Sequence, residues 1–161
     1  MNNRGQLLVE AIVAISIIII GTMGVLGFLY RSLSLNRVIS DEFTGTYLAA
    51  EGIEIAKNIL DSNRNRGLEW NSGFASGAYE ADYQSLSLEV NQNRNIRFDS
   101  SAGLYDYENG TPISFTRTIV VATPNPSDAN ELQVNSIVKW KTRGGGNFEV
   151  NLEDHFFNWQ P

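Results

Sequence analysis

Residues 7–30 read LLVEAIVAISIIIIGTMGVLGFLY, an apolar stretch that decides the architecture of this chain. About 20 apolar residues are enough for an α-helix to cross a bilayer. A helix in the core of a soluble protein keeps a polar face, and this stretch has none. A secretory signal peptide has an apolar region of about 7–15 residues followed by a small-residue cleavage site, which is missing here. We therefore predict a transmembrane helix over residues 6–30.

The composition of the whole chain limits the chemistry that it can perform. The 161 residues include 12 Lys and Arg, 18 Asp and Glu, one His and no Cys, for a net charge of −6. Without Cys there is no disulfide, no thiolate metal site and no thiol nucleophile. A single His excludes a multi-histidine metal site. The acidic balance argues against a nucleic-acid-binding protein, which would carry a basic patch.

Glu10 is the one charged residue between Arg4 and Arg31. A charged side chain costs about 2.5–3.5 kcal/mol at the centre of a bilayer and less near its surface. One interpretation places Glu10 in the headgroup layer, because Arg4 lies shortly before it. The other interpretation gives it a partner charge, since an ionisable group inside a membrane segment indicates a function.

The residues around Glu10 resemble the class III signal of type IV pilins and pseudopilins. In that signal a basic leader ends in Gly, the fifth residue of the mature chain is Glu, and an apolar helix follows; Arg4, Gly5 and Glu10 have this spacing. The resemblance implies that a prepilin peptidase/methyltransferase removes residues 1–5 on the cytoplasmic side and N-methylates Gln6. It also implies a single-pass protein of the cytoplasmic (inner) membrane with an extracytoplasmic head, which joins other pilin subunits through its helix in a cell-surface filament.

Two features differ from major pilins. Their first mature residue is most often Phe, whereas here it is Gln6, which occurs in minor-pilin-like sequences. Many pilins also close a carboxy-terminal loop with a disulfide, which a chain without Cys cannot form. Residues 48–60, LAAEGIEIAKNIL, resemble a stretch common in bacterial minor-pilin-like proteins.

Cleavage after Gly5 would give Glu10 a natural partner. The new α-amine at Gln6 is largely protonated at neutral pH. Gln6 and Glu10 are separated by about 6 Å, one helical turn. A stagger between neighbouring helices would bring the carboxylate of one subunit to the ammonium of the next and fix their register.

Gly21, Gly24 and Gly27 weaken the apolar helix, because Gly costs about 1 kcal/mol relative to Ala in a helix. They can form a small-residue face for close helix packing. They can also provide helix flexibility, so that the helix loosens when subunits leave the bilayer and pack in a filament. Both interpretations stay open.

Residues 31–62 are predicted to continue the helix in amphipathic form. Apolar residues recur at helical spacing up to Leu60, while Glu51, Glu54 and Lys57 can face away from them. Glu54 and Lys57 form an i,i+3 pair. A polar run over residues 61–67 ends the helix.

Residues 63–161 are predicted to form a β-rich head. Period-two alternation indicates three strands near 115–122, 132–141 and 148–156, and shorter strands near 79–83, 86–90 and 96–98. The region 91–110 is expected to form surface loops. The predicted fold is α+β: a long N-terminal membrane-spanning helix, the stick of a lollipop, packs after Ala49 on a C-terminal antiparallel sheet.

No arrangement of residues indicates catalysis, a cofactor or a metal. His155 is expected at the surface, and the acidic residues from Asp128 to Glu131 lack the EF-hand spacing. The glycines at 144–146 lack the Lys-Ser/Thr of a P-loop. Trp70, Trp140 and Trp159 are expected in the core rather than on a carbohydrate-binding platform.

The hypothesis is therefore a structural subunit, a minor pilin or pseudopilin, of a type IV pilus or a related type II secretion-like filament. The alternative is an uncleaved, membrane-anchored binding or adhesion domain, and an anchored enzyme comes third. An intact mass distinguishes the first two hypotheses. The sequence leaves open which machine the subunit serves, whether it is major or minor, and what its head binds.

Overall fold

The computed structural model describes residues 4–125, 130–142 and 145–159. Within them the chain forms one helix, α1 (Arg4–Asn65), followed by seven strands: β1 (Gly77–Glu80), β2 (Glu89–Val90), β3 (Asn95–Asp99), β4 (Leu104–Asp106), β5 (Thr111–Ala122), β6 (Glu131–Lys141) and β7 (Asn147–Phe157). The chain divides into two compact units, Met1–Ser40 and Asp41–Pro161. Helix α1 contributes residues to both units.

The first unit consists of the helix up to Ser40. Its large apolar side chains, from Leu7 to Leu29, are exposed. Among the described residues, α1 is the one helix long and apolar enough to cross a membrane. By length and composition, the chain is compatible with a single-pass membrane protein.

The second unit is built on one antiparallel sheet whose central strand is β5. One side of β5 pairs with β3 near its start and with β1 near its end. Its other side pairs with β6, which in turn pairs with β7. Strands β2 and β4 extend the sheet beyond β1 and β3.

The core of the second unit lies between this sheet and the last six turns of α1. Alternate residues of β5 and β6 are buried as the pattern predicted, for example Ile119, Val134 and Val138. The buried side chains form two apolar clusters, and helix α1 contributes to both: Ala56 packs in the cluster with Ile119 and Val134, and Leu48 and Ala49 pack in the cluster with Val138. The α+β class and the packing of the helix on the antiparallel sheet are therefore confirmed.

Helix α1 ends at Asn65 with a Schellman motif, a little beyond the predicted end. Leu68 N donates to Asn63 O (2.9 Å), and Gly67 N donates to Arg64 O (3.0 Å). Gly67 has a φ of 69°, which a glycine adopts without strain. The Asn63 side chain donates to Ser72 O (2.8 Å) and ties the following loop to the helix.

Other predictions for the middle of the chain need correction. Strand β1 stops at Glu80, because Asp82 Oδ1 accepts bonds from Gln84 N (3.1 Å) and Ser85 Oγ (2.9 Å) and forms a turn. The region 91–110 is not only surface loop. It contains β3 and β4, and Ile96 and Tyr107 are buried in the core. The predicted burial of Trp70 and Trp140 is confirmed, whereas Trp159 is 70% exposed. Asp128 and Gly144 lie outside the described residues.

Candidate assembly helix

The predicted site residues all lie on one element, helix α1. Gly5, Gln6, Glu10, Gly21, Gly24 and Gly27 all lie on the exposed part of α1. A Cβ atom at any of these four glycines would meet nothing within 4 Å. Packing against the described residues therefore does not require glycine at these positions.

Glu10 and two of the glycines lie on one face of the helix. At about 100° per residue, Gly21 lies about 20° around the helix from Glu10, and Gly24 about 40°. Gly27 lies about 100° away, at the flank of that face. A neighbouring helix that reached Glu10 would therefore meet the two positions where backbones can approach most closely.

The two hydroxyl groups in this segment are satisfied within the helix. Ser16 Oγ donates to Ile12 O (2.8 Å), and Thr22 Oγ1 donates to Ile18 O (2.8 Å). Side chains bonded in this way are compatible with an apolar environment, where no water replaces a missing partner. The carboxylate of Glu10 is then the exceptional group, and within the described residues no ion pair joins it.

A buried arginine, which the sequence pattern did not identify, holds the last part of α1 on the sheet. Arg117 on β5 is 1% exposed. Its Nη1 lies 2.7 Å from Glu51 Oε2 and donates to Leu48 O (3.1 Å), and its Nη2 donates to Ala81 O (2.7 Å). Glu51 thus points toward the sheet, whereas the helical pattern had allowed it to face away. A buried Arg at a period-two apolar position was the available signal, since such a charge needs a partner.

A second arginine ties the loop after β2 to the sheet. Arg94 Nε lies 2.6 Å from Oε1 of the buried Glu80, and its Nη1 lies 2.8 Å from Glu108 Oε1. The guanidinium also stands over the ring of Tyr107 at 4.8 Å. Burial acts against its charge, but hydrogen bonds and attraction from Glu80, and then from Glu108, hold the pKa of Arg94 above its ordinary value.

His155 is exposed, as predicted, and lies between two carboxylates on the outer face of the sheet. Its Nδ1 is 2.6 Å from Glu131 Oε1, and its Nε2 is 3.3 Å from Glu153 Oε1. These bonds, first from Glu131 and then from Glu153, raise the pKa of His155. Among the residues that the structure describes, no group of three His, Cys, Asp or Glu side chains could hold a metal ion.

Comparison with protein-family models, with curated proteins and with solved structures finds no match for this chain. The structure defines an α+β protein with one candidate membrane-spanning helix near its amino terminus.

Proposed function

We propose that this protein is a minor pilin or pseudopilin, a structural subunit of a type IV pilus or a related type II secretion-like filament. The observation that carries the proposal is the position of Gly5 and Glu10, five residues apart, at the start of an apolar helix whose side chains are exposed among the described residues. The leader, residues 1–5, is removed, Gln6 becomes the methylated amino terminus, and the helix enters the filament.

The exposed apolar surface supports an assembly role for the helix. In the membrane, lipid covers the side chains of residues 6–30. In a filament, the helices of neighbouring subunits replace the lipid. Such contacts gain little from the hydrophobic effect relative to lipid, so close packing and polar pairs decide them. Gly21 and Gly24 provide the close approach, and Glu10 provides the polar group.

Glu10 sets the register between neighbouring subunits in this proposal. Removal of the leader places an ammonium group at Gln6, one turn before Glu10 on the same helix. An ion buried alone among apolar helices costs several kcal/mol. A stagger that brings Glu10 to the ammonium of a neighbour removes that cost, whereas any other stagger leaves two unpaired charges.

Residues 41–161 form the extracytoplasmic head in this proposal. The orientation comes from the resemblance to pilins, because Arg31 and Arg37 on the head side outnumber Arg4 on the leader side and oppose the positive-inside rule. A reporter enzyme fused after residue 161 tests the orientation. Activity only in the cytoplasm would contradict it.

Maturation is tested by the intact mass of the protein purified from its own membranes. The proposal expects the loss of Met1–Gly5, with or without one added methyl group. The substitution Gly5→Val should block cleavage, because a branched side chain at the cut position crowds the peptidase. Gly24→Val, the same change further along the helix, is the matched control and should be cleaved normally. An uncut native protein would favour the uncleaved, membrane-anchored binding domain instead, and a mature-sized Gly5→Val product would show that cleavage does not require Gly5.

A further inference from the structure

Strand β7 has a free edge. It pairs with β6 on one side, and no other described strand pairs with it. With 11 residues, β7 is as long as its partner β6. A free edge presents a row of backbone N–H and C=O groups that a further strand can use.

The hydrogen bonds at the two ends of the β6–β7 pair show which backbone groups face that edge. Asn158 N donates to Asn130 O (2.8 Å), and Thr142 N donates to Gly146 O (3.0 Å). Both pairs continue the register of the two strands. Hydrogen-bonded pairs alternate in an antiparallel ladder, so the even-numbered residues of β7 bond to β6. The odd-numbered residues direct their N–H and C=O groups to the free edge.

The last part of this edge is blocked by the protein itself. Phe157 O accepts hydrogen bonds from Arg64 Nη2 (3.1 Å) and Trp159 N (3.1 Å). His155 N donates to the side chain of Asp154 (2.8 Å). Natural sheets protect their edges with such charged side chains and terminal segments. Among the described residues nothing caps the outward groups of the odd-numbered residues from 147 to 153, which we call the open edge.

The side chains of the open edge differ between its two faces. Val150 and Leu152 lie on the core side, against the apolar cluster around Val138 and Trp140. Phe148 stacks on Trp140 and is still 39% exposed, so these three side chains form an apolar margin. Glu149 and Glu153 lie on the other face, and each side chain is about half exposed although Glu149 pairs with Lys139 (3.2 Å) and Glu153 with His155 (3.3 Å). A strand added here would cover the apolar margin with every second side chain. Its remaining side chains would stand beside the two carboxylates.

We propose that the open edge binds an extended segment of another protein, in which apolar residues alternate with Lys or Arg. The backbone groups supply the hydrogen bonds, the apolar margin supplies burial, and the carboxylates select for positive charge. A second copy of β7 fits less well. Antiparallel self-pairing about Asn151 would place Glu149 opposite Glu153 of the other copy, and like charges directly opposite are destabilising. The proposal does not depend on cleavage of the leader.

Binding is measured by fluorescence anisotropy with the full chain in detergent micelles. The probe is a fluorescein-labelled peptide, acetyl-Lys-Val-Lys-Val-Lys-Val-Lys-amide, and the comparison peptide has Glu in place of every Lys. The test variant is Asn151→Pro, because residue 151 donates nothing to β6 and Pro removes only an outward N–H. Asn151→Ala is its matched control, since both variants lose the bond from Asn135 Nδ2 to the Asn151 side chain (3.2 Å).

The proposal expects the Lys peptide to bind wild type and Asn151→Ala alike, and to bind Asn151→Pro at least about tenfold more weakly. The Glu peptide should bind more weakly than the Lys peptide, and added salt should reduce the difference. Glu149→Lys with Glu153→Lys should reverse this preference, which tests the edge without changing the backbone. Equal binding to the Pro and Ala variants, or no reversal by the double variant, would overturn the proposal. So would a wild-type dimer that Asn151→Pro dissociates, because the occupant would then be a second copy.

Discussion

The first part of helix α1, residues 4–40, is more apolar than the second, residues 41–65, and the two parts also differ in what surrounds their apolar side chains. In the first part the large apolar side chains are exposed, and in the second Leu48, Ile59 and Leu60 are buried against the sheet. Both parts are helical, so the helix itself does not distinguish their roles. They differ in that the described strands cover the apolar side chains of the second part and leave those of the first part exposed.

The glycines show the same difference. Around Gly21, Gly24 and Gly27 there is open space, whereas a Cβ at Gly45 would lie 2.6 Å from Trp140 Cζ3. A Cβ at Gly52 would overlap Ser136 Oγ and lie 3.0 Å from Arg117 Cδ. Gly45 and Gly52 are thus explained by close approach of the helix to the sheet. Among the described residues nothing approaches the glycines of the first part in this way.

The largest effect should come from Glu10, in the first part. If a neighbour's ammonium pairs with it in the filament, Glu10→Gln leaves that ammonium buried and unpaired, which costs about 3–5 kcal/mol. At about 1.4 kcal/mol per tenfold, incorporation should fall about a hundredfold or more, although the subunit is inserted, cut and folded. Glu10→Asp should be intermediate, because the charge stays and the reach shortens. The measurement is the variant's share of sheared filaments relative to wild type.

The control for this experiment is Glu54→Gln, which removes an exposed carboxylate whose closest ion pair is Lys57 at 4.0 Å. It should enter filaments as wild type does. If Glu10→Gln enters equally well, the pairing model is wrong. The first part of α1 would then not differ from the second by a charge that needs a partner from another subunit.

The next largest effect should come from Arg117, in the second part. Arg117→Ala leaves the buried carbonyl of Ala81 without its bond and opens a cavity beside Gly52. We expect the free energy of unfolding to fall by about 2–4 kcal/mol. Trp70, Trp140 and Trp159 all lie in Asp41–Pro161, so Trp fluorescence during denaturant unfolding reports on this unit alone.

Arg66→Ala, at an exposed position just after α1, is the control and should change that free energy by less than about 0.5 kcal/mol. A change in Arg117→Ala no larger than in Arg66→Ala would mean that the buried arginine does not hold the helix. The two parts of α1 would then differ only in apolar packing.

A smaller effect separates the two sets of glycines. Gly52→Ala should destabilise the second unit by about 1–3 kcal/mol through overpacking, less about 1 kcal/mol gained in helix propensity. Adding Ser136→Ala should restore part of the loss, because it removes the hydroxyl that the new Cβ meets. Gly21→Ala should leave Trp-detected unfolding unchanged. Equal effects of Gly21→Ala and Gly52→Ala would remove the distinction.

The smallest effect is a pH dependence confined to the second unit. The folded-state pKa of His155 is raised by Glu131 and then by Glu153, so its stabilising contribution is complete below the ordinary value of 6.5. That contribution is lost as the pH rises through the raised pKa. The free energy of unfolding should therefore fall between pH 6 and pH 8 in wild type, and fall less in His155→Gln. An identical slope in both proteins would exclude His155 as the cause.

Much of the fold could be predicted because period-two and helical patterns state which residues are buried. The inward positions of β5 and β6 and the packing of the helix on the sheet follow from them. Strand β4 and the bounds of β1 and β2 could not be predicted, since short strands depend on their neighbours and on turns such as that at Asp82. The pairing of Arg117 with Glu51 also could not be predicted from the sequence. Residues 51 and 117 meet only through the topology of the sheet, and alternation along one strand says nothing about that.

The order of the elements along the chain has a consequence for synthesis. The apolar face around Leu48, Ile55 and Ile59 is complete when α1 ends, but β6, which covers it, follows about 75 residues later. At about 5–20 residues per second, a ribosome needs about 4–15 s for that interval. During this time the nascent chain carries two apolar surfaces in succession, and within the part of the chain that the structure describes only the second is covered by later residues. Folding of residues 41–161 must therefore finish after translation has passed β6.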